Sequence, residues 1–342
     1  EALRLFLGML EVAPRAVTWP LLLYALAAPI GHPMGSLYLS GRTGVGKTSL
    51  ALMVQALWGH TAQHPPTNWE GTANALEALA FAAKDALLLV DDYAPAGQEG
   101  KQRELEAKAA RLLRNQGNAG GRARMRSDGR MQPDRAPRGS LLITGEDLPL
   151  GHSVRARCLF LELHPGEVDL DRLACLQLEA GRLGEAMAAW IRWLAGRLER
   201  VRQGVARRSA ELRVDYPAAH GRTTEALARL RAVWEAVLQH WRGAGLISAE
   251  EARRLTLEVE EALRQVAARQ SGYQQDADPA ERFIPLLLAL LASGRGHLAN
   301  RHSPEEPPSE AQRWGWRGQG GQWSPQGPQV GWVDQGGVYL EP

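Results

Sequence analysis

The chain has 342 residues, of which 44% are apolar, so it is long enough to bury a sizeable core and to form two or three domains. Its formal net charge of +2 excludes a strongly acidic or basic protein, and two cysteines, Cys158 and Cys175, exclude a framework of disulfides. Both cysteines are expected to be buried. The longest apolar runs are too short to cross a bilayer, which predicts a cytoplasmic protein without a membrane partner.

Residues 2–12 and 18–29 carry apolar side chains at helical spacing, and the apolar run 36–40 predicts a strand. This strand leads into a segment that matches the pattern G-x4-G-K-[ST], namely Gly41, Arg42, Thr43, Gly44, Val45, Gly46, Lys47 and Thr48. The glycines let successive backbone N–H groups turn toward one point, where the next helix also begins and phosphate oxygens are held. The segment therefore predicts a binding site for ATP.

Two side chains at the end of this segment have separate predicted roles. Lys47 supplies a positive charge to the phosphates, and the Thr48 hydroxyl is placed to complete the oxygen shell of Mg²⁺. The apolar run 86–90 predicts a buried strand, and it ends in two carboxylates. Asp91 is predicted to hold the metal ion, and Asp92 to orient or deprotonate the attacking water.

Helices alternate with strands in this half of the chain. Asn74 and Glu77 stand at capping-box spacing for a helix that ends at Lys84, and residues 100–115 suggest another helix. Strands are predicted at 139–144 and 157–163. Strands that alternate with helices after a phosphate-binding loop indicate the fold class α/β, with a three-layer core and a parallel sheet, as in P-loop NTPases.

A strongly basic segment precedes the strand at 139–144. Eight arginines between residues 111 and 138 face only two acids, which gives this stretch a net charge of +6. Arginines alternate with small or apolar residues up to an Asp-Gly turn, a pattern typical of a hairpin with one cationic face. Such a face would bind DNA or RNA phosphates without reading sequence, and its candidate contacts are Arg122, Arg124, Arg126 and Arg130. A solvated arginine-rich loop that touches nothing is the alternative. The hairpin is expected to leave the core close to the nucleotide.

Three further polar residues follow the basic segment. Thr144 ends a predicted strand beside the acidic strand, so its hydroxyl is predicted to bond the attacking water and to report the γ-phosphate. Arg155 and Arg157 offer guanidinium groups, either of which would reach the γ-phosphate of a neighbouring subunit. The alternatives are that Thr144 is an ordinary threonine at the end of a strand and that both arginines are ordinary surface residues.

The second half of the chain changes character. Residues 169–200, 222–243, 248–270 and 279–293 have helical periodicity with hardly any strand pattern. A Pro- and Glu-rich linker then precedes a Trp- and Gly-rich tail that predicts a small β unit. The predicted domains are an ATPase core with N-terminal helices at 1–165, a helical domain at 166–299, and the linker and tail at 300–342.

Several of these motifs, in this order, resemble those of the ATPases catalogued as domain of unknown function 927, which accompany primase and helicase modules of phages and mobile elements. The resemblance covers about residues 20–165. Its carriers are the segments 41–48, 69–74, 88–92, 117–122 and 137–146. It implies a helicase-like ring ATPase of the AAA+ or superfamily-three kind, in which a hairpin before the Thr144 strand lines the pore.

The sequence thus predicts an ATP-hydrolysing motor that acts on DNA, single-stranded rather than double-stranded and without sequence specificity, in replication of a phage or mobile element. A homo-oligomeric ring, with a hexamer as one option, is the expected assembly, and a primase fused upstream of Glu1 or associated with the chain is a further expectation. Two alternatives stay open. One is a non-motor ATP-dependent switch that assembles or loads a nucleoprotein complex, and the other is a small-molecule kinase, for which no acceptor site is evident.

Overall fold

A computed structural model of the protein describes residues 1–31, 35–59, 63–94, 98–121, 135–149, 151–218, 220–275, 279–319, 322–334 and 336–340. Two compact units divide the chain, residues 1–274 and 275–342. The helices that follow residue 165 up to residue 274 belong to the same unit as the central sheet. The domain boundaries predicted at residues 165 and 299 do not coincide with this division, and as boundaries of separately folding domains they stay a prediction.

The first unit consists of a parallel sheet and eleven helices within its described residues. Its strands are β1 (Ser36–Gly41), β2 (Thr67–Asn68), β3 (Leu87–Tyr93), β4 (Ser140–Gly145) and β5 (Cys158–Leu163). Its helices are α1 (Ala2–Gly8), α2 (Arg15–Ala27), α3 (Lys47–Ala56), α4 (Ala73–Ala82), α5 (Glu99–Asn118), α6 (His152–Arg155), α7 (Leu170–Leu178), α8 (Leu183–Leu194), α9 (Leu198–Leu212), α10 (Gly221–Gly243) and α11 (Ala249–Gln275).

The five strands lie in the order β2-β3-β4-β1-β5, and every neighbouring pair is parallel. Because all strands point the same way, the loops that follow β1, β3 and β4 meet at the carboxyl edge of the sheet. The order also puts β4 between β1 and β3. These two facts bring three segments that are far apart in sequence to one place.

Each face of the sheet is covered by its own apolar cluster. Leu37 and Leu39 of β1 face a cluster that includes α2, α3 and the later helices, whereas Tyr38 faces a second cluster with α4 and α5. Alternate residues of a strand point to opposite faces, so a strand that is apolar at every position is buried on both sides. The predicted α/β fold with a parallel sheet is confirmed.

Two buried glutamines complete the hydrogen bonding of strand backbone that has no neighbouring strand at that position. Gln55 of α3 donates to the carbonyl of Leu87 at 3.2 Å and accepts from the N–H of Leu89 at 3.1 Å. Gln270 of α11 does the same at Phe160, with distances of 2.6 and 3.0 Å. A side-chain amide carries one donor and one acceptor group, so it replaces a missing neighbouring strand. Helix α11 is therefore bonded directly to the edge strand β5.

Some local predictions are wrong. Thr72, rather than Asn74, caps α4, because its side chain accepts from the N–H of Ala75 at 3.2 Å. Cys158 is buried, and burial raises the pKa of its thiol, but Cys175 on α7 is exposed. The spacing of Asn74 and Glu77 fits a capping box, but the helix already begins at Ala73. The extended backbone at Thr72 decides this position.

The second unit contains α12 (Pro279–Ser293), β6 (His297–Asn300), β7 (Trp316–Gln319), β8 (Gln322–Pro325), β9 (Gln329–Asp334) and β10 (Gly337–Leu340). Strands β10, β9 and β6 form one sheet, and β7 and β8 form an antiparallel pair. Trp316 is buried and donates its indole N–H to the carbonyl of Leu298 at 2.9 Å. The tail thus contains β structure, as its composition predicts. Within the described ranges, no helix is long and apolar enough to cross a membrane.

Candidate functional site

The loop between β1 and α3 is held in a conformation that needs glycine. Gly44 and Gly46 have φ angles of +82° and +89°, in the left-handed region that other residues rarely adopt. A Cβ atom on Gly46 would lie 3.2 Å from side-chain atoms of Val168 and Leu170. Val45, by contrast, is buried in the large apolar cluster. The loop is therefore anchored by Val45 and closely packed at Gly46.

The outer side of this loop faces open space at the start of α3. A Cβ atom on Gly44 would meet nothing within 4 Å. Helix α3 begins with Gly46 as its N-cap and has no side-chain cap, and the first bond that closes onto its end runs from Leu50 N to Gly46 O at 2.9 Å. The N–H groups of the first turn consequently have no intrahelical acceptors, and they carry the positive end of the helix dipole.

Lys47 lies at the first position of α3 and is only 9% exposed. Its Nζ donates to the carbonyl of Arg42 in the same loop at 2.8 Å. Burial lowers the pKa of Lys47, while the carboxylates of Glu146, Asp92 and Asp91 act in the opposite direction. The ammonium group is thus held in a partly desolvated place with three carboxylates around it.

Asp91 connects the loop to two strands. Its Oδ1 accepts from the Thr48 hydroxyl of α3 at 3.0 Å and also from the Thr144 hydroxyl at the end of β4. Asp91 and Thr144 are 8% and 1% exposed. Because the strand order puts β4 between β1 and β3, these three residues meet at the carboxyl edge of the sheet, as their predicted positions require.

Asp92 follows with a left-handed backbone, φ +65°, and its side chain is exposed. The register of β3 against β4 shifts between Val90 and Tyr93, and the N–H of Asp92 donates to the Thr144 hydroxyl oxygen at 3.1 Å instead of to a strand carbonyl. The irregularity turns the Asp92 side chain away from the buried faces of the sheet. Thr144 therefore links Asp91 and Asp92, because its hydroxyl donates to the carboxylate of Asp91 and accepts from the backbone N–H of Asp92.

This arrangement makes Thr144→Val a specific test of the link. Valine has the shape of threonine, but it leaves the Asp92 N–H without its acceptor and removes one of the two hydroxyl donors to Asp91 Oδ1. We expect the free energy of unfolding to fall by about 1–2 kcal/mol, measured by urea denaturation. Thr144→Ser keeps the hydroxyl and serves as the control. Equal stability of the valine variant and the wild type would contradict the link.

Glu146 is part of this site, although its motif suggested no role for it. It lies just after β4, and its carboxylate accepts from the Thr43 hydroxyl in the loop. Among the carboxylates that act on the Lys47 ammonium, its influence is the largest. The signal was available in the sequence, because Glu146 stands two residues after Thr144 and must therefore also lie at the carboxyl edge.

The two predicted arginines do not join this cluster. Arg155 is buried, and its guanidinium donates to the carbonyls of Pro149 at 3.0 Å and Tyr273 at 3.1 Å. Arg157 precedes β5, so it lies at the amino edge of the sheet, and it donates to Asn118 and Ser153. In this conformation Arg155 faces the interior of its own chain, whereas contact with a neighbouring subunit requires a surface guanidinium.

The basic residues Arg122, Arg124, Arg126 and Arg130 lie outside the described residues, but both flanks of their segment are described. Before it, Asn118 contacts Arg157, and after it, Arg138 exchanges backbone hydrogen bonds with Ala80 and Asp85 ahead of β4. Both flanks lie at the amino edge. The expected exit beside the nucleotide is wrong, since each six-residue strand separates the two edges by roughly 16 Å.

No group of three or more metal-ligating residues is arranged around a common point within the described parts of the chain. The Thr48 hydroxyl and the Asp91 carboxylate lie side by side at the end of the loop, with 3.0 Å between Oγ1 and Oδ1. Both are hard ligands of the kind that Mg²⁺ prefers, and Mg²⁺ is commonly held by one or two protein groups together with phosphates and water.

Comparison with known proteins agrees with this architecture. Residues 13–136 match the model of the Domain of unknown function (DUF927). This part of the chain is therefore similar to the DUF927 domain. The resemblance stated from the motifs is thus confirmed, and the match spans the loop, Asp91 and Asp92. No curated protein matches the chain.

A solved structure described as "SCCmec type IV Cch - active helicase" is similar in fold to this chain, with a TM-score of 0.59 and 12% sequence identity. The alignment covers 89% of this chain and 57% of the helicase chain. At this identity the similarity concerns the fold.

Proposed function

We propose that this chain is a helicase-like motor that hydrolyses ATP and acts on DNA. The observation that carries the proposal is the junction of Thr48, Asp91 and Thr144 beside Lys47, at the uncapped start of α3. The fold shared with a mobile-element helicase supports it.

The residues at this junction fit a triphosphate. The open side of Gly44 and the free N–H groups of the first turn of α3 form a surface without side chains, where backbone donors are available to phosphate oxygens. Lys47 is the only cationic group in the buried part of the loop among its described residues. In binding, its Nζ would exchange the Arg42 carbonyl for a phosphate oxygen, which relieves part of the cost of burying an ammonium group.

The remaining residues divide the work of hydrolysis. Thr48 and Asp91 would hold Mg²⁺, which supplies charge neutralisation of the phosphates when bound. Asp92, exposed and turned out of the strand, would orient or deprotonate the attacking water. Thr144 holds both aspartates in place, so we assign it a positioning role and, through it, the response to the γ-phosphate.

Strand β4 offers a direct connection to DNA. Thr144 lies at its carboxyl end, and the basic segment with Arg122–Arg130 precedes its amino end in the sequence. A shift of Thr144 that follows the loss of γ-phosphate would be transmitted along one buried strand to the basic segment. Nucleotide turnover at the carboxyl edge would thereby move DNA contacts at the amino edge, one strand length away.

We include a homo-oligomeric ring in this proposal, because the motif resemblance implies one, and an arginine of a neighbouring copy would then complete the site. Arg157 is the more accessible of the two predicted arginines, because Arg155 is bonded to carbonyls of its own chain. The mass of the protein in solution with a non-hydrolysable ATP analogue tests for the ring.

The motor proposal is tested by ATP turnover with and without single-stranded oligothymidylate, over a range of salt concentrations. We expect stimulation by DNA that weakens with salt, because phosphate contacts release counterions. The double variant Arg124→Ala, Arg126→Ala should lose the stimulation, and Arg253→Ala, an exposed arginine of α11, should keep it.

Turnover that ignores DNA and the two arginines would contradict the motor. If ATP binding alone then changed the assembly state, and Asp92→Asn kept this change, the non-motor switch would replace it.

A further inference from the structure

A cavity of about 170 Å³ lies at the amino edge of the sheet, on the side opposite to the loop that contains Lys47. It is formed by the start of β5, the end of α5 and the first turns of α10. The residues that matter for its chemistry are Gly117, Arg157, Arg222, Glu225 and Arg229. Three of these five are arginines.

The positive charges around this cavity repel one another. Burial lowers the pKa of Arg157, and Arg222 and Arg114 lower it further. Burial also lowers the pKa of His220, with additional contributions from Arg222 and His152. Burial is the largest cause of both shifts, and neighbouring cations add to it; for Arg229, whose pKa burial also lowers, the charge of Glu225 acts in the opposite direction.

The arginines have neutral partners. Arg157 is held by the amide oxygen of Asn118, at 3.2 and 3.0 Å, and its alkyl part lies on Gly117, where a Cβ atom would come within 2.6 Å. Arg229 donates to the carbonyl of Gly31 at 2.6 Å, and its buried Nε has no acceptor in the described parts of the chain.

The one acid that lines the cavity is already engaged. Glu225 forms an ion pair with Arg213 at 3.0 Å. Within the described ranges, no carboxylate lies within ion-pair distance of Arg157, Arg222 or Arg229. The N-terminus of α10 adds positive potential, because this helix begins at Gly221 beside the cavity.

We infer that this cavity binds a phosphodiester group of single-stranded DNA. Its volume is below the roughly 300 Å³ at which pockets for whole small molecules begin, so it suits one anionic group. Converging guanidiniums match phosphate oxygens.

DNA is the favoured source of the phosphate because of the position of the cavity along the chain. Asn118, which holds Arg157, lies four residues before the basic segment that begins at Arg122. The described flanks of that segment, Asn118 and Arg138, lie at the same edge of the sheet as the cavity. The inference extends the proposed function, on which its choice of DNA rests. It gives Arg157 a contact with DNA, which replaces the role across subunits considered for this residue in the ring.

The test uses Arg222, which is exposed and makes no ion pair among the described residues, so its replacement should leave the fold intact. Binding of labelled oligothymidylate to the full chain is followed by fluorescence anisotropy between about 50 and 200 mM salt. The variants are Arg222→Ala and Arg222→Glu. Arg242→Ala and Arg242→Glu are the matched controls, since Arg242 is an exposed arginine near the other end of the same helix.

We expect Arg222→Ala to weaken binding by about 3–10-fold and Arg222→Glu by more, with a slope of log affinity against log salt that is smaller by about 0.7 for the lost contact. The Arg242 variants should match the wild type. Equal binding by Arg222→Glu and Arg242→Glu, or no DNA binding by the wild type at low salt, would overturn the inference.

ATP turnover without DNA, measured in parallel, distinguishes a DNA phosphate from a nucleotide phosphate in this cavity. Reduced turnover in Arg222→Glu with unchanged DNA affinity would mean that the cavity serves a nucleotide of another copy, and it would overturn the assignment to DNA. A wild type that binds DNA through Arg222 but hydrolyses no ATP would contradict the proposed motor and leave the cavity assignment supported.

Discussion

Replacing Lys47 with alanine is expected to lower ATP turnover by about 100–1000-fold, the loss typical of removing one preorganised donor from developing negative charge. Lys47 is the cation at the start of α3, and Asp91, Asp92 and Glu146 surround it with negative charge. Without the ammonium group, triphosphate would approach three carboxylates with no compensating charge in the buried part of the loop. The measurement is steady-state ADP release with saturating Mg²⁺.

The control is Lys101→Ala, which removes an exposed lysine from α5 and should leave turnover unchanged. Stability distinguishes a lost function from a lost fold. Burial lowers the pKa of Lys47 below its value in the unfolded chain, so the unfolded state holds this proton more tightly and the charge opposes folding at neutral pH. Lys47→Met should therefore unfold at the same temperature as the wild type or a higher one. Full turnover in either Lys47 variant would contradict the assignment.

Replacing Asp92 with asparagine is expected to lower turnover by about 100–10,000-fold, the range for loss of a general base, while ATP binding persists. Asparagine has nearly the same shape, and it tolerates the left-handed backbone that the structure has at this position, φ +65°. The N–H of residue 92 also keeps its bond to Thr144. The variant should therefore hold ATP without hydrolysing it, which nucleotide analysis of the bound fraction would measure.

Asp85→Asn is the matched control, because Asp85 has the same unusual backbone, φ +55°, at the amino edge of the sheet, ahead of β3. Its turnover should equal that of the wild type. If Asp92→Asn hydrolysed ATP normally, the base would have to be another group, and Glu146 would be the first to test.

The candidate site was predictable where it depends on strand direction. Parallel strands bring their carboxyl ends together, so the segments at the ends of three apolar runs had to meet, and Thr48, Asp91 and Thr144 do. The same rule, applied to the beginnings of strands, would have placed Arg157 and the residue before β4 that ends the basic segment, Arg138, at the opposite edge. The prediction that the basic segment leaves the core near the nucleotide relied on closeness in sequence, whereas the direction of the strands decides at which edge it leaves.

Side-chain contacts between distant segments were not predictable from local pattern. The bond between Thr43 and Glu146 depends on how far the loop reaches over the end of β4, and the burial of Arg155 depends on a carbonyl 118 residues away. Gln55 and Gln270 look like ordinary polar helix positions in the sequence, yet they replace missing strands. Periodicity gives the elements and their faces, whereas these contacts follow only from the assembled layers.

The most direct test of the central claim is equilibrium binding of ATP to the purified, folded chain in the presence of Mg²⁺, followed by titration calorimetry. The account predicts saturable binding with one nucleotide per chain, weaker without Mg²⁺ and abolished in Lys47→Ala. A folded wild type that binds no nucleotide at millimolar ATP and Mg²⁺, or a Lys47→Ala variant that binds as tightly as the wild type, would contradict it.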